Sequence, residues 1–203
     1  ISLLVSGGHS LIIDVKGLGD YTILGESQDD AVGEAFDKVG KLLSLPYPGG
    51  PHIERIARDG DPKKFNYPRP MMHSDNLNLS FSGLKTAVLY SIRDIENLEE
   101  HIPDIAASFQ RAAIDVLVSK IKKSLIQTNR DTLILAGGVA ANGLLRVEMS
   151  KLEDELNIKV RYPAMKHCTD NAAMIAYLGS LKTPDMTTQG NSNARPRWPL
   201  NEV

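Results

Sequence analysis

Cysteine is almost absent. Cys168 is the one thiol in 203 residues, so neither an internal disulfide nor a cysteine-based zinc site can form within the chain. That fits a reducing cytoplasm. No apolar run approaches the ~20 residues that a membrane-spanning helix needs, and no signal-peptide pattern is seen. Neither sign of charge dominates: 23 Lys and Arg face 25 Asp and Glu. A domain built around a strong basic footprint is disfavoured, although a local patch or a partner subunit remains a route to RNA. The five histidines are scattered, with no H-E-x-x-H or other two-histidine helical pair, which leaves a zincin-type protease unsupported. G-x-x-x-x-G-K-S/T and G-x-G-x-x-G are both missing, so P-loop and Rossmann readings have no motif behind them.

Apolar residues are plentiful enough to bury a core, at 42% against 24% charged. Ser2 to Val5, Leu11 to Val15 and Tyr21 to Leu24 read as short strands. Gly17 and Gly19 mark a turn, which makes the three an antiparallel meander. The period then becomes helical: Val32, Ala35, Phe36, Val39, Leu42 and Leu43 place a helix over 29–44. Pro46, Pro48, Gly49, Gly50 and Pro51 stop it in a rigid turn, and a short helix follows over 52–58. Residues 60–79 read as irregular. Helices are predicted over 82–94 and, from the stripe Ile105, Phe109, Ala112, Ala113, Val116, Leu117, Ile121 and Leu125, over 103–127. Thr132 to Ala136 is a buried strand that Gly137-Gly138 turns into a helix through about Leu156. A strand over 159–162 and a helix over 169–181 complete the order. A β-meander followed by alternating helices and strands suits an α/β lobe of the ribonuclease-H-like type, used twice in actin, Hsp70 and hexokinase-like sugar kinases. Periodicity alone leaves that one of several choices.

The strongest chemical signal is glycine at turns. Ser6-Gly7-Gly8 and Ala136-Gly137-Gly138 each follow an apolar run, while Gly49-Gly50 sits in the proline-bounded turn. Glycine lets backbone N–H groups approach an oxyanion with no Cβ in the way. A following helix N-terminus, as after Gly138, adds partial positive charge. Ser6 and Ser10 offer hydroxyl donors. Several such turns in one lobe suit a nucleotide, whereas each pair taken singly is more simply a tight turn.

Other candidates carry a plain reading beside the chemical one. Asp37 shares the polar face of its helix with Glu34, Lys38 and Lys41, as a salt-bridged surface would; a carboxylate there would also accept both hydroxyls of a ribose. Asn142 opens a helix, as a cap or as a hydrogen-bond partner of a base or sugar. Ser80-Phe81-Ser82-Gly83-Leu84-Lys85-Thr86 either lines a cleft or starts a helix. Thr169-Asp170-Asn171 reads as a capping motif, and Asp170 as a metal ligand would need partners that the sequence does not place beside it.

Six stretches occur in order: Leu3-Leu4-Val5-Ser6-Gly7-Gly8-His9-Ser10, Gly33-Glu34-Ala35-Phe36-Asp37-Lys38, Tyr47-Pro48-Gly49-Gly50-Pro51, Ser80 to Thr86, Leu135-Ala136-Gly137-Gly138-Val139-Ala140-Ala141-Asn142, and Thr169 to Ala176. Together with the tail Ala194 to Leu200 they resemble the bacterial tRNA N6-adenosine threonylcarbamoyltransferases, also called glycoproteases. The match covers the whole chain. The resemblance implies an actin-like, two-lobed enzyme that moves a threonylcarbamoyl group from threonylcarbamoyl-adenylate to N6 of the adenosine next to the tRNA anticodon. It gives the adenylate to Leu4, Val5, Ser6, Gly7, Gly8, Asp37, Gly50 and Asn142. It makes Asp170 one ligand of a divalent metal ion, iron or zinc, acting as a Lewis acid on the carbamoyl group. It also implies two partner subunits, an inactive paralogue and an ATPase.

The family's remaining metal ligands are two histidines on a helix of the N-terminal lobe, and none of the five here matches them. His9-Ser10 stands where relatives often have His-Thr or Asn-Thr and keeps the hydroxyl. The expectation is a C-terminal lobe over 1–203, inactive alone, since Ile1 opens the chain inside a strand. Residues from about 165 onward would pack on the absent lobe. The rivals are an ATPase or small-molecule kinase of the same fold and a non-catalytic scaffolding paralogue; a metalloprotease has the least support.

Overall fold

The computed structural model describes residues 1–182 together with Trp198 and Leu200. Five strands form one sheet: β1 (Ser2–Val5), β2 (Ser10–Gly17), β3 (Asp20–Glu26), β4 (Thr132–Ala136) and β5 (Lys159–Arg161). Their order is β3-β2-β1-β4-β5. The first three strands are an antiparallel meander, as the turn residues predict, and β4 and β5 continue the sheet in parallel beside β1. This mixed α/β order is the expected ribonuclease-H-like lobe. Burial alternates along the central strands. Leu3, Val5, Leu133 and Leu135 are buried, whereas Ile134 is 44% exposed, so one face of the sheet carries the core.

Six helices are described: α1 (Val32–Leu42), α2 (Gly49–Ile56), α3 (Ser82–Ser91), α4 (Leu98–Thr128), α5 (Gly143–Leu156) and α6 (Ala172–Lys182). Helix α4 is the spine, and all eight residues of its predicted stripe are buried. Phe109 on α4 meets Phe36 on α1 edge to face, with ring centroids 5.0 Å apart. No described helix is long and apolar enough to cross a membrane.

Of the boundaries that differ from the sequence reading, three have a clear local reason. Helix α1 begins at Val32 because Asp29 serves a different helix. The Asp29 carboxylate accepts the N–H groups of Phe81 and Ser82 and the hydroxyls of Ser80 and Ser82. Gly49 and Gly50 are the first turn of α2, with Pro48 as its N-cap. Pro51 is tolerated there because the third helical N–H has no intrahelical acceptor to lose. Helix α4 starts at Leu98, before Pro103, which forfeits a single backbone bond near the helix start.

Candidate functional site

β1 and β4 are parallel neighbours, with Leu4 opposite Ala136. Both glycine turns therefore open at the same end of the sheet, where ligands of parallel α/β sheets bind. Two glycines make this junction possible. Gly137 has φ +90°, and a Cβ on it would lie 2.3 Å from the Val5 carbonyl oxygen. A Cβ on Gly33 would lie 2.5 Å from the Ser6 carbonyl oxygen, which accepts the Gly33 N–H at 3.1 Å. The start of α1 is thus pressed against the first turn. Gly7 and Gly8 are different. No atom comes within 4 Å of a Cβ built on either, and neither has a left-handed φ. Packing within the chain does not call for glycine there, and the space beside both is open. The N–H groups of Gly8 and His9 donate to Ser6 Oγ at 3.2 and 3.0 Å, while that of Gly7 meets no acceptor among the described residues.

The cleft has a cavity volume of about 210 Å³ and is partly open to solvent. Its lining comes from Gly33, Phe36 and Asp37 of α1, from Pro48, Gly50, Pro51 and Glu54 at α2, from Gly138, Val139, Ala141 and Asn142 after β4, and from Gly7 and Thr169. Four residues singled out from sequence, Gly7, Asp37, Gly50 and Asn142, thus line one cavity. Leu4, Val5, Ser6 and Gly8 do not line it. Val5 is buried in the core, Leu4 is half-buried, and the Ser6 hydroxyl oxygen accepts two N–H groups of its own loop.

The polar groups of the cleft are fixed by the chain itself. Asp37 takes no part in the ion pairs of its helix face; Lys38 pairs instead with Asp30 at 2.7 Å and Glu34 at 2.9 Å. Asp37 Oδ1 accepts the Gly49 N–H at 2.8 Å, which caps α2. The carboxylate is thereby held at the positive end of a helix dipole. Asn142 is the N-cap of α5: its Oδ1 accepts the Leu145 N–H at 3.0 Å, and its Nδ2 donates to Gln110 Oε1 at 2.8 Å. The second Nδ2 hydrogen has no acceptor among the described residues. Glu54 was not anticipated. Its Oε1 accepts the Gly143 N–H at 3.0 Å and ties α2 to the start of α5. Its position four residues beyond Gly50 on a predicted helix was the available signal.

The expectation for Ser10 is corrected, whereas Ser80 to Thr86 and Asn171 take the helix-starting and capping alternatives that the sequence left open. The Ser10 hydroxyl is buried and accepts the Val32 N–H at 2.9 Å, so it caps α1 and does not face the cleft. The Ser80 to Thr86 stretch starts α3 through Asp29 and supplies no residue to the cleft lining. Asn171 caps α6 by accepting the Met174 N–H at 3.1 Å. Asp170 is exposed, and no group of three His, Cys, Asp or Glu side chains that could hold a metal comes together among the described residues. The described residues therefore do not form a metal site by themselves. Apart from Trp198 and Leu200, the Ala194 to Leu200 stretch lies outside the described residues.

A family model for tRNA N6-adenosine threonylcarbamoyltransferase matches residues 1–177. Proteins of that name from Neisseria meningitidis and Chromobacterium violaceum are 47% and 46% identical over the whole of this chain. The chain spans 63% and 61% of their lengths, less than two thirds in each case. The crystal structure of HypF from T. kodakarensis is similar with a TM-score of 0.58 and 19% identity, over 82% of this chain and 21% of that one. At that identity it speaks for the fold alone.

Proposed function

The chain belongs to the tRNA N6-adenosine threonylcarbamoyltransferase family, and we propose that it is the adenylate-holding lobe of an enzyme that transfers threonylcarbamoyl from its adenylate to N6 of an adenosine in tRNA. The observation that carries this reading is the convergence of Gly7, Asp37, Gly50 and Asn142, from four separate sequence motifs, on one cleft. Asp37 is pre-oriented by the Gly49 N–H and offers its second oxygen to a ribose hydroxyl. The free Gly7 N–H and the start of the Gly138–Ala141 turn suit a phosphate. Phe36, Pro51, Val139 and Ala141 supply apolar surface for a purine.

In the reaction the N6 lone pair attacks the carbamoyl carbon. The carbon–oxygen bond to the phosphate breaks, AMP leaves with the bonding electrons, and the amine loses a proton. Asp170 would be one carboxylate ligand of an iron or zinc ion, with its other ligands supplied from beyond the described residues. An inactive paralogue and an ATPase are the partner subunits of this reading.

Calorimetric titration with AMP and a stable threonylcarbamoyl-adenylate analogue tests it. Adenylate is expected to bind, Asp37→Ala to weaken binding at least about tenfold, the loss of one charge-assisted hydrogen bond, and transfer to tRNA to require the full-length protein. ADP release with phosphorylation of a small molecule would instead support a kinase. A folded full-length protein with no nucleotide affinity would support a scaffold.

A further inference from the structure

A second recess adjoins the cleft. Gly7 and Asp37 line both, and the second is completed by Glu34, Lys38, Lys41, Leu45, Pro46 and Tyr47. Tyr47 is 85% exposed, more than any other large hydrophobic side chain among the described residues. It is nonetheless held in place. Prolines 46 and 48 fix φ on either side of it. The Leu45 N–H is anchored to the Gly40 carbonyl at 2.9 Å, and α2 begins two residues beyond at Gly49. A ring presented to solvent on a stiff support contributes little to the core. Its backbone is fixed and its ring is open to a flat partner.

The charges beside it are unevenly committed. The Lys38 ammonium is shared between Asp30 and Glu34, and Asp37 accepts the Gly49 N–H. Lys41, in the last turn of α1, is exposed and has no carboxylate within ion-pairing distance among the described residues. An exposed aromatic face next to an unpaired ammonium is the combination that binds single-stranded nucleic acid: stacking for a base and charge for a phosphate.

We infer that Tyr47 and Lys41 seat the RNA substrate on the rim of the cleft, Tyr47 stacking on an unpaired base that flanks the acceptor adenosine and Lys41 meeting a backbone phosphate. The inference rests on the transferase reading above. It adds where the RNA lies: the strand crosses the second recess so that its acceptor base reaches the adenylate past Gly7 and Asp37. A protein partner is the other occupant to consider. The second recess favours RNA, because the exposed Tyr47 ring and the unpaired Lys41 ammonium line it together, beside Leu45 and Pro46.

The test uses the full-length enzyme with its partner subunits and reads tRNA affinity, steady-state transfer, AMP affinity and subunit assembly separately. Tyr47→Ala is expected to raise KM for tRNA about tenfold, the loss of one base–aromatic stack, with kcat within about twofold of wild type. Tyr47→Phe keeps the ring and restores KM. Lys41→Ala is expected to flatten the dependence of log affinity on log salt by about one unit. AMP affinity stays at the wild-type value in all three. A wild-type KM for tRNA in Tyr47→Ala overturns the inference, and so does a loss confined to AMP affinity or subunit assembly. A wild-type enzyme that binds adenylate but transfers nothing to tRNA defeats the functional reading itself, a result distinct from both.

Discussion

Asp37 does two jobs that a pair of substitutions can separate. Its carboxylate caps α2 through the Gly49 N–H and leaves one oxygen facing the cleft. Asp37→Ala should cost about 1 kcal/mol of stability, the worth of a helix cap, and also lower adenylate affinity. Asp37→Asn keeps an acceptor for Gly49 and should restore most of the stability without restoring the affinity. Thermal denaturation beside calorimetric titration reads the two effects independently. The sequence placed Asp37 on the right helix face but suggested the wrong neighbours. Its partner is Gly49, reached only because α2 folds back across the start of the cleft. Ser10 was misread for the same reason: its hydroxyl serves Val32, in a helix that local pattern cannot bring to it.

Carboxylates of the same kind set the response to acid. Burial pushes the Asp29 carboxyl up, but hydrogen bonds from Ser80, Phe81 and Ser82 outweigh it and hold it below the usual range. The Arg130 hydrogen bond holds Asp14 low against its burial. Glu148 is likewise raised by burial and brought down further by Lys151 and Arg111. A folded-state pKa below the unfolded one stabilises the protein above the unfolded value, roughly pH 4. That contribution is lost as pH falls through the folded values. Stability should therefore decline below about pH 4. Asp29→Asn should be less stable at neutral pH and lose less on acidification. Urea denaturation of both proteins between pH 7 and pH 2.5 checks this; parallel curves would mean that Asp29 titrates alike in both states.

At the scale of elements, α4 was legible because its apolar stripe repeats over many turns, and the strands because each is short, apolar and bounded by turn residues. The start of α2 was not, since Pro51 looks like a breaker unless its place in the first turn is known. Lys120 is a further element-level feature hidden from pattern. It lies on the buried side of α4, between Val116, Leu117, Ile121 and Ser124, and is fully buried. Its ammonium donates to the Ser74 carbonyl, the Ser74 hydroxyl and the Asn76 carbonyl at 3.1, 2.8 and 2.6 Å. Burial, with the charge of Lys123, lowers its pKa. These bonds tie the 60–79 segment, which has no helix or strand, to the spine. Lys120→Met should cost about 2 kcal/mol, because two carbonyls lose a charged donor, and should speed hydrogen exchange around residues 72–79. Unchanged exchange there would assign the order of this segment to its other contacts.

At the scale of the molecule, α6 is the element least accounted for by the rest of the lobe. Its residues, Ala172 to Lys182, are apolar on most sides, and a helix apolar all round ordinarily lies inside a protein. Here Met174, Ile175, Tyr177, Leu178 and Leu181 are 47%, 62%, 68%, 38% and 44% exposed. Ile134 and Ile23 are also open on the far side of the sheet, at 44% and 39%. Exposed apolar surface of this kind drives association. This 203-residue chain should therefore self-associate as its concentration rises, with α6 as the contact. Ile175→Glu combined with Tyr177→Glu should give a monomer. Neither side chain is buried, so Tm should stay within about 3 °C, the shift of well under 1 kcal/mol expected for exposed positions. Sedimentation velocity over a hundredfold concentration range separates the cases. A wild-type chain that stays monomeric throughout would show that the apolar surface of α6 does not drive self-association, and a double variant that still associates would move the contact to the open face of the sheet.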